Sequence, residues 1–175
     1  LTTRVKKIFV KARRARITSA AGTDLTMSLG QNSNIKVSDG IAPAGQQAGL
    51  GGQVSCIPND GSAEGVLVID RSIGANDFKE LNEPVILKVE RGYVTSVSGG
   101  ADADRLRHFL EAMNDPNIYN LTELGVGTNW RCRFTGVAAP VEDTHTLGCV
   151  SLALGCDTHV GGKVRAGAHV DMTMR

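Results

Sequence analysis

Apolar and polar positions along this chain shift between a helical period and strict alternation. From Thr3 to Arg16, Val5, Ile8, Phe9 and Ala12 recur at helical spacing, with Arg4, Lys6, Lys7, Lys11, Arg13, Arg14 and Arg16 on the remaining face. This predicts a short basic helix whose apolar stripe packs on the domain. "ARITSAAGTDLTMSLG" then alternates on either side of Ala21-Gly22-Thr23 and reads as a hairpin. Residues 31–52 hold five Gly, one Pro and few large apolar side chains, the composition of a long loop that walls or covers a site. "GQVSCIP", "GVLVIDRSI" and "EPVILKVERGYVTSVSG" supply short strands, with Arg91-Gly92 as the hairpin turn inside the last of them. "ADADRLRHFLEAMNDP" is the clearest helix: Asp102 or Asp104 is placed to cap it, Leu106, Phe109, Leu110 and Met113 form its stripe, and Asp115-Pro116 stops it. Strands outnumber helices, so the fold class expected is α+β, a mainly antiparallel or mixed sheet with a few helices.

Composition sharpens this picture. At 175 residues the chain is about one domain long, and a domain of that size buries roughly two thirds of its unfolded surface without needing a disulfide or metal to hold it together. Gly is high at 21 residues and aromatics are low at 4%, which suits tight turns and a core of Val, Leu, Ile and Ala. A net charge of +1 gives no global field toward nucleic acid or an anionic membrane. Cys56, Cys132, Cys149 and Cys156 form neither a C-x-x-C pair nor a dense disulfide framework, the usage of reduced thiols in a cytoplasmic protein. The longest apolar runs are strand length, too short to cross a bilayer as a helix. The chain starts with Leu and lacks the apolar core of a signal peptide, which implies that it begins inside a longer gene product or after processing.

The candidate chemistry gathers in the last third. In the closing "GAHVDMTMR", His169 and Asp171 stand at i and i+2 of a strand, on one face, where both can reach one cation. The bland alternative is a strand edge with its polar side in water. A divalent metal accepts imidazole nitrogen together with carboxylate oxygen, and a third ligand from elsewhere would complete a set. Glu123 is the best partner, standing before a Gly-Val-Gly turn in "TELGVGTN". Glu142, Asp143 and His145 in "VEDTHT" read as a solvated loop. His159 in "CDTHVGGK" either swings into a site or faces solvent, and His108 reads as a surface residue of its helix. Ser151 lacks the G-x-S-x-G elbow, and the Gly runs match neither dinucleotide nor P-loop fingerprints. Cys56, Cys149 and Cys156 read as small apolar residues rather than activated thiols.

"RITSAAGTDLTMSLG", "GGQVSCIP", "GSAEGVLVIDRSI", "EPVILKVERGYV", "ELGVGTN", "SLALG" and "AHVDMTMR", in that order, resemble the C-terminal domain of the aminopeptidase T superfamily. That superfamily comprises metal-dependent leucyl aminopeptidases and, as relatives, iron-dependent 2,5-dihydroxypyridine dioxygenases. The resemblance implies one α+β metal-binding domain over residues 1–175, the C-terminal part of a two-domain protein whose N-terminal half lies outside this chain. It also implies a homodimer. In the aminopeptidases two metals are held by a Glu in a "GGEV" strand, a Glu in the segment matching "ELGVGTN", a His before "LALG", and a closing H-x-D. Glu123, His169 and Asp171 match, whereas Gln53 and Ser151 stand at the other two positions. A neutral amide and a hydroxyl bind divalent cations weakly, so one metal is expected, Zn, Mn or Fe, held by Glu123, His169 and Asp171. The dioxygenase branch uses a single iron with two His and one carboxylate, and carries His where this chain has Glu123. The leading expectation is a metal-dependent hydrolase acting on a peptide or small-molecule amide through a metal-bound water, with Glu64 or Glu142 as general base. The alternatives are an Fe(II) dioxygenase that cleaves hydroxylated pyridines or related aromatic rings, and a non-catalytic member of the fold that binds a ligand.

Overall fold

The chain is described by a computed structural model covering all residues except 31–33, 43, 76, 77, 79, 80 and 137–140. Its first element is helix α1 (Thr2–Lys11), which ends where Ala12 turns extended. Strands β1 (Arg14–Thr18), β2 (Asp24–Ser28), β3 (Lys36–Ser38), β4 (Gln53–Cys56), β5 (Glu64–Ile69), β6 (Ser72–Ile73), β7 (Val85–Glu90) and β8 (Tyr93–Ser98) follow. Helix α2 (Ala101–Ala112) leads through a 3₁₀ turn, Pro116–Tyr119, into β9 (Leu121–Gly127). Helix α3 (Val141–His145), β10 (Val150–Gly155), a second 3₁₀ turn at Thr158–Val160 and β11 (His169–Met174) complete the chain.

Two sheets result, a five-stranded one ordered β1-β2-β5-β7-β8 and a six-stranded one ordered β3-β4-β9-β10-β11-β6. Every strand pairing between the named strands is antiparallel, so the α+β expectation holds in its antiparallel form. Both sheets feed one core: Leu25, Met27, Leu67, Ile69 and Leu87 come from the first, Leu124, Leu152, Leu154, Val170 and Met172 from the second. Helix α2 lies against β7 and β8 and adds Ala103, Leu106 and Leu110, all fully buried. In β7 the alternation of sequence and of burial coincide, with Val85, Leu87 and Val89 inward and Ile86 and Lys88 outward.

Several local expectations need correction. Asp102 does not cap α2; Gly100 occupies that position. The Asp102 carboxylate, almost fully buried, instead accepts the Asn82 N–H at 2.8 Å and pairs with Arg105 at 2.8 Å, pinning the segment that enters β7. Of the apolar stripe, Phe9 of α1 and Ala12 just after it pack on the core, while Ile8 stays 65% exposed. The helix is too short to lay its whole stripe down; one tie is a Thr2–Thr128 hydroxyl contact of 2.8 Å. The stretch read as loop, residues 31–52, contains β3, whose Lys36 and Ser38 pair with Ser55 and Gln53. Residues 31–33 and 43 of that stretch lie outside the described residues. Finally, Glu142, Asp143 and His145 form α3 rather than a solvated loop: Asp143 is fully buried and its carboxylate accepts the Thr135 and Gly136 N–H groups at 2.6 and 3.1 Å.

Candidate metal centre

The register of the six-stranded sheet assembles the centre. Ala153 of β10 stands opposite Glu123 of β9 on one side and opposite Asp171 of β11 on the other. Cross-strand partners share a face, so two carboxylates flank a methyl group, and the small side chain leaves the space between them open. His169 is two residues from Asp171 and shares its face. The Gly-Val-Gly read as a turn is the end of β9 itself. Gly125 is needed there because a Cβ would lie 2.3 Å from Ser151 Oγ and 2.9 Å from Gln53 Nε2.

His169 is the hinge of the arrangement. Its Nδ1–H donates to the Cys156 carbonyl at 2.6 Å, which fixes the tautomer and turns Nε2 toward the acids, as the outer partners of a ligating histidine do. That Nε2 lies 3.7 Å from Glu123 Oε2 and 3.5 Å from Asp171 Oδ1. Burial alone would push the His169 imidazole down. The Asp171 carboxylate, the Cys156 carbonyl and the Glu123 charge outweigh it and raise the group to about 9. Two acids drawing a cationic proton onto one imidazole are the same field that would hold a divalent cation.

His159, left undecided by the sequence, is brought to the same place. It sits on the Thr158–Val160 turn with its ring edge-on to His169, centroids 4.4 Å apart and planes at 81°. One ligand atom each from Glu123, His159 and His169 lies within 4.8 Å of the others. Burial, then the charge of His169, holds the His159 pKa below its ordinary value, which favours the neutral, ligating form. Sequence alone offered little for this residue; its one signal is the Gly pair that follows it.

These donors line a hollow of about 200 Å³ whose other walls include Lys36, Gln53, Thr144 and His145. His145, placed by sequence in a solvated loop, is therefore a buried wall of the site. A larger hollow of about 450 Å³ borders the same turn through Asp157, Gly161 and Gly162. Gln53 Nε2 donates to Ser151 Oγ at 3.3 Å, so the two positions that differ from the two-metal pattern satisfy each other as a neutral pair. The two acids considered as general bases lie elsewhere. Glu64 is on β5 of the other sheet, beside Arg14, Arg16 and Asp24, and its carboxylate accepts the Arg91 N–H at 2.8 Å. Glu142 accepts the Arg133 N–H at 3.1 Å and is not among the residues lining the hollow.

A family model described as 2,5-dihydroxypyridine 5,6-dioxygenase, NicX, matches residues 2–175. A curated 2,5-dihydroxypyridine 5,6-dioxygenase of Pseudomonas putida is 30% identical over 177 residues, covering 94% of this chain and 50% of its own length. The solved 2,5-dihydroxypyridine dioxygenase from Pseudomonas putida KT2440 superposes with a TM-score of 0.83 at 26% identity, covering 99% of this chain and 53% of that one. Wild-type AmpT from Thermus thermophilus gives a TM-score of 0.73 at 17% identity, covering 97% and 45%, and shows the shared fold alone. The chain thus spans about half the length of the relatives it matches. The expectation of an amide hydrolase is overturned, because the matching family model, the curated relative and the more similar of these solved structures are all dioxygenases.

Proposed function

This chain belongs to the 2,5-dihydroxypyridine 5,6-dioxygenase family, and on that premise we propose that it is the metal-bearing portion of an Fe(II)-dependent dioxygenase that opens a hydroxylated pyridine or related aromatic ring. The observation that supports this reading is His169 held by the Cys156 carbonyl with Nε2 turned to Glu123 and Asp171, at 3.7 and 3.5 Å. The donor chemistry fits the group: imidazole nitrogen with its tautomer fixed, and carboxylates opposed across a small residue, suit a borderline divalent cation. Glu123, His169 and Asp171 would hold it. When bound, Fe(II) supplies one-electron reactivity toward O₂ and open positions for substrate.

The remaining steps fall to the chain. Lys36, at the mouth of the hollow, makes no ion pair or hydrogen bond through its side chain among the described residues and is available to an anionic ring oxygen. Thr144 and His145 form a wall of low exposure that keeps water from that side. Gln53, tied to Ser151, presents a neutral amide rather than a second carboxylate, so the hollow carries less negative charge against an electron-rich ring. No helix among the described residues is long and apolar enough to cross a membrane.

The test is O₂ consumption by the Fe(II)-loaded chain with 2,5-dihydroxypyridine, followed together with loss of ring absorbance. Uptake stoichiometric with ring loss is expected. A chain that binds Fe(II) but neither consumes hydroxypyridines nor changes their spectra on mixing would overturn the reading.

A further inference from the structure

His169 is not the hollow's one imidazole, and the second arrives by a different route. Glu123, His169 and Asp171 stand on strands whose hydrogen-bonded register fixes them. His159 stands on a three-residue 3₁₀ turn, exposed at the rim, yet its ligand atom lies within 4.8 Å of those of Glu123 and His169. An exposed histidine on a free turn would have no reason to hold that position. This turn is clasped from both ends. Asn34 Nδ2 donates to the carbonyl of Val160 at 2.8 Å, across 126 residues of chain. Asp157, almost fully buried, accepts the Val164 N–H with its carboxylate at 2.7 Å, while its backbone carbonyl accepts the Val160 and Gly162 N–H groups at 3.0 and 2.9 Å.

The glycine pair after His159 is what lets both clasps close. Gly161 has φ +91, and a Cβ on it would sit 1.8 Å from Asn34 Nδ2. A Cβ on Gly162 would sit 2.0 Å from the Asp157 carboxyl group. Both clasps thus converge on Val160, the residue that follows His159, whose ring stands edge-on against His169.

We infer that His159 is a protein ligand of the cation, the second imidazole of the set, with Asn34 as the residue that positions its turn. The inference rests on reading the hollow as a metal centre. With one imidazole and two carboxylates the donors would suit Mn(II) and Mg(II) as well as iron; a second imidazole tilts preference toward Fe(II), Co(II) and Zn(II). His159 therefore decides which metal the centre selects.

The experiment is anaerobic calorimetric titration of the metal-free chain with Co(II), Fe(II) and Mn(II), each alone, in wild type and His159→Ala. His159 is exposed on its turn, so the variant is expected to fold, and circular dichroism checks it. Loss of about 10-fold or more in Co(II) and Fe(II) affinity is expected, with a smaller loss for Mn(II), so that the Co(II)-to-Mn(II) preference falls. A structural role alone would weaken all three equally. Asn34→Ala keeps every donor; it is expected to reproduce part of the Co(II) loss while the visible spectrum of the saturated Co(II) form stays that of wild type. Wild-type binding with an unchanged Co(II)-to-Mn(II) ratio in His159→Ala would overturn the inference alone. A wild-type chain that takes up none of the three cations would overturn the metal centre along with it.

Discussion

The two sheets share a core but solve different problems. In the five-stranded sheet β7 is buried on one face and wet on the other, and its polar residues point out. In the six-stranded sheet β9 and β10 are buried along almost their whole length, and Thr122, Glu123 and Ser151 are buried with them. A buried carboxylate is costly unless something compensates it; Glu123 has the His169 imidazole 3.7 Å away, whereas an acid at an outward position of β7 would face water at little cost. The comparison teaches that one sheet carries stability through alternation, while the other accepts polar burial where the candidate site stands.

Substitutions in the two sheets should separate stability from chemistry. Leu87→Ala, in the fully buried row of β7, is expected to lower unfolding free energy by about 2–5 kcal/mol in denaturant titrations, with unchanged cation affinity in the folded fraction. A changed affinity would break the division of labour. His169→Ala is expected to do the reverse, weakening Fe(II) or Co(II) binding by about 100-fold, and above pH ~9, where its imidazole no longer supports the metal-free fold, moving the midpoint of metal-free unfolding far less than Leu87→Ala. The pH dependence is a finer test. Because the folded His169 is raised to about 9 from an ordinary value near 6.5, its contribution to the metal-free fold is whole below pH ~6.5 and is lost as pH climbs through about 9. Thermal midpoints of the metal-free chain should therefore decline across that window, and His169→Asn should flatten the decline. A cation must displace that proton, so affinity should rise over the same range. The smallest effect is expected from Glu64→Gln and Glu142→Gln, whose acids serve the Arg91 and Arg133 backbone: cation affinity and O₂ uptake should stay within about 2-fold of wild type, because neither carboxylate lines the hollow and solvent and salt screen charges outside it. A larger loss in either would place that acid in the mechanism.

Much of the fold was legible because periodicity is a local property. The β7–β8 hairpin with Arg91-Gly92 at its turn, the body of α2 and the closing strand all follow from spacing and turn chemistry alone. Where the reading failed, a distant partner decided. Asp102 looked like a helix cap until the Asn82 backbone claimed it. "VEDTHT" looked solvated because its composition is polar, but Asp143 is satisfied by Thr135 and Gly136, and α3 packs against β9. β3 was hidden in a Gly-rich stretch because three residues carry too little pattern to be seen without the β4 edge that pairs them.

For the site, the sequence by itself determined that His169 and Asp171 share a strand face, since side chains two apart in a strand must. It also offered Glu123 as the acid to join them. What it could not determine is the lateral register that sets Glu123 and Asp171 on either side of Ala153, because strand pairing is chosen by the whole sheet rather than by either strand. Nor could it place His159. That position depends on Asn34, 126 residues before the Val160 carbonyl it holds, and on glycines whose missing side chains matter only once Asn34 and Asp157 have arrived beside them. The ligand types were written in the chain; their convergence is a product of the folded sheet.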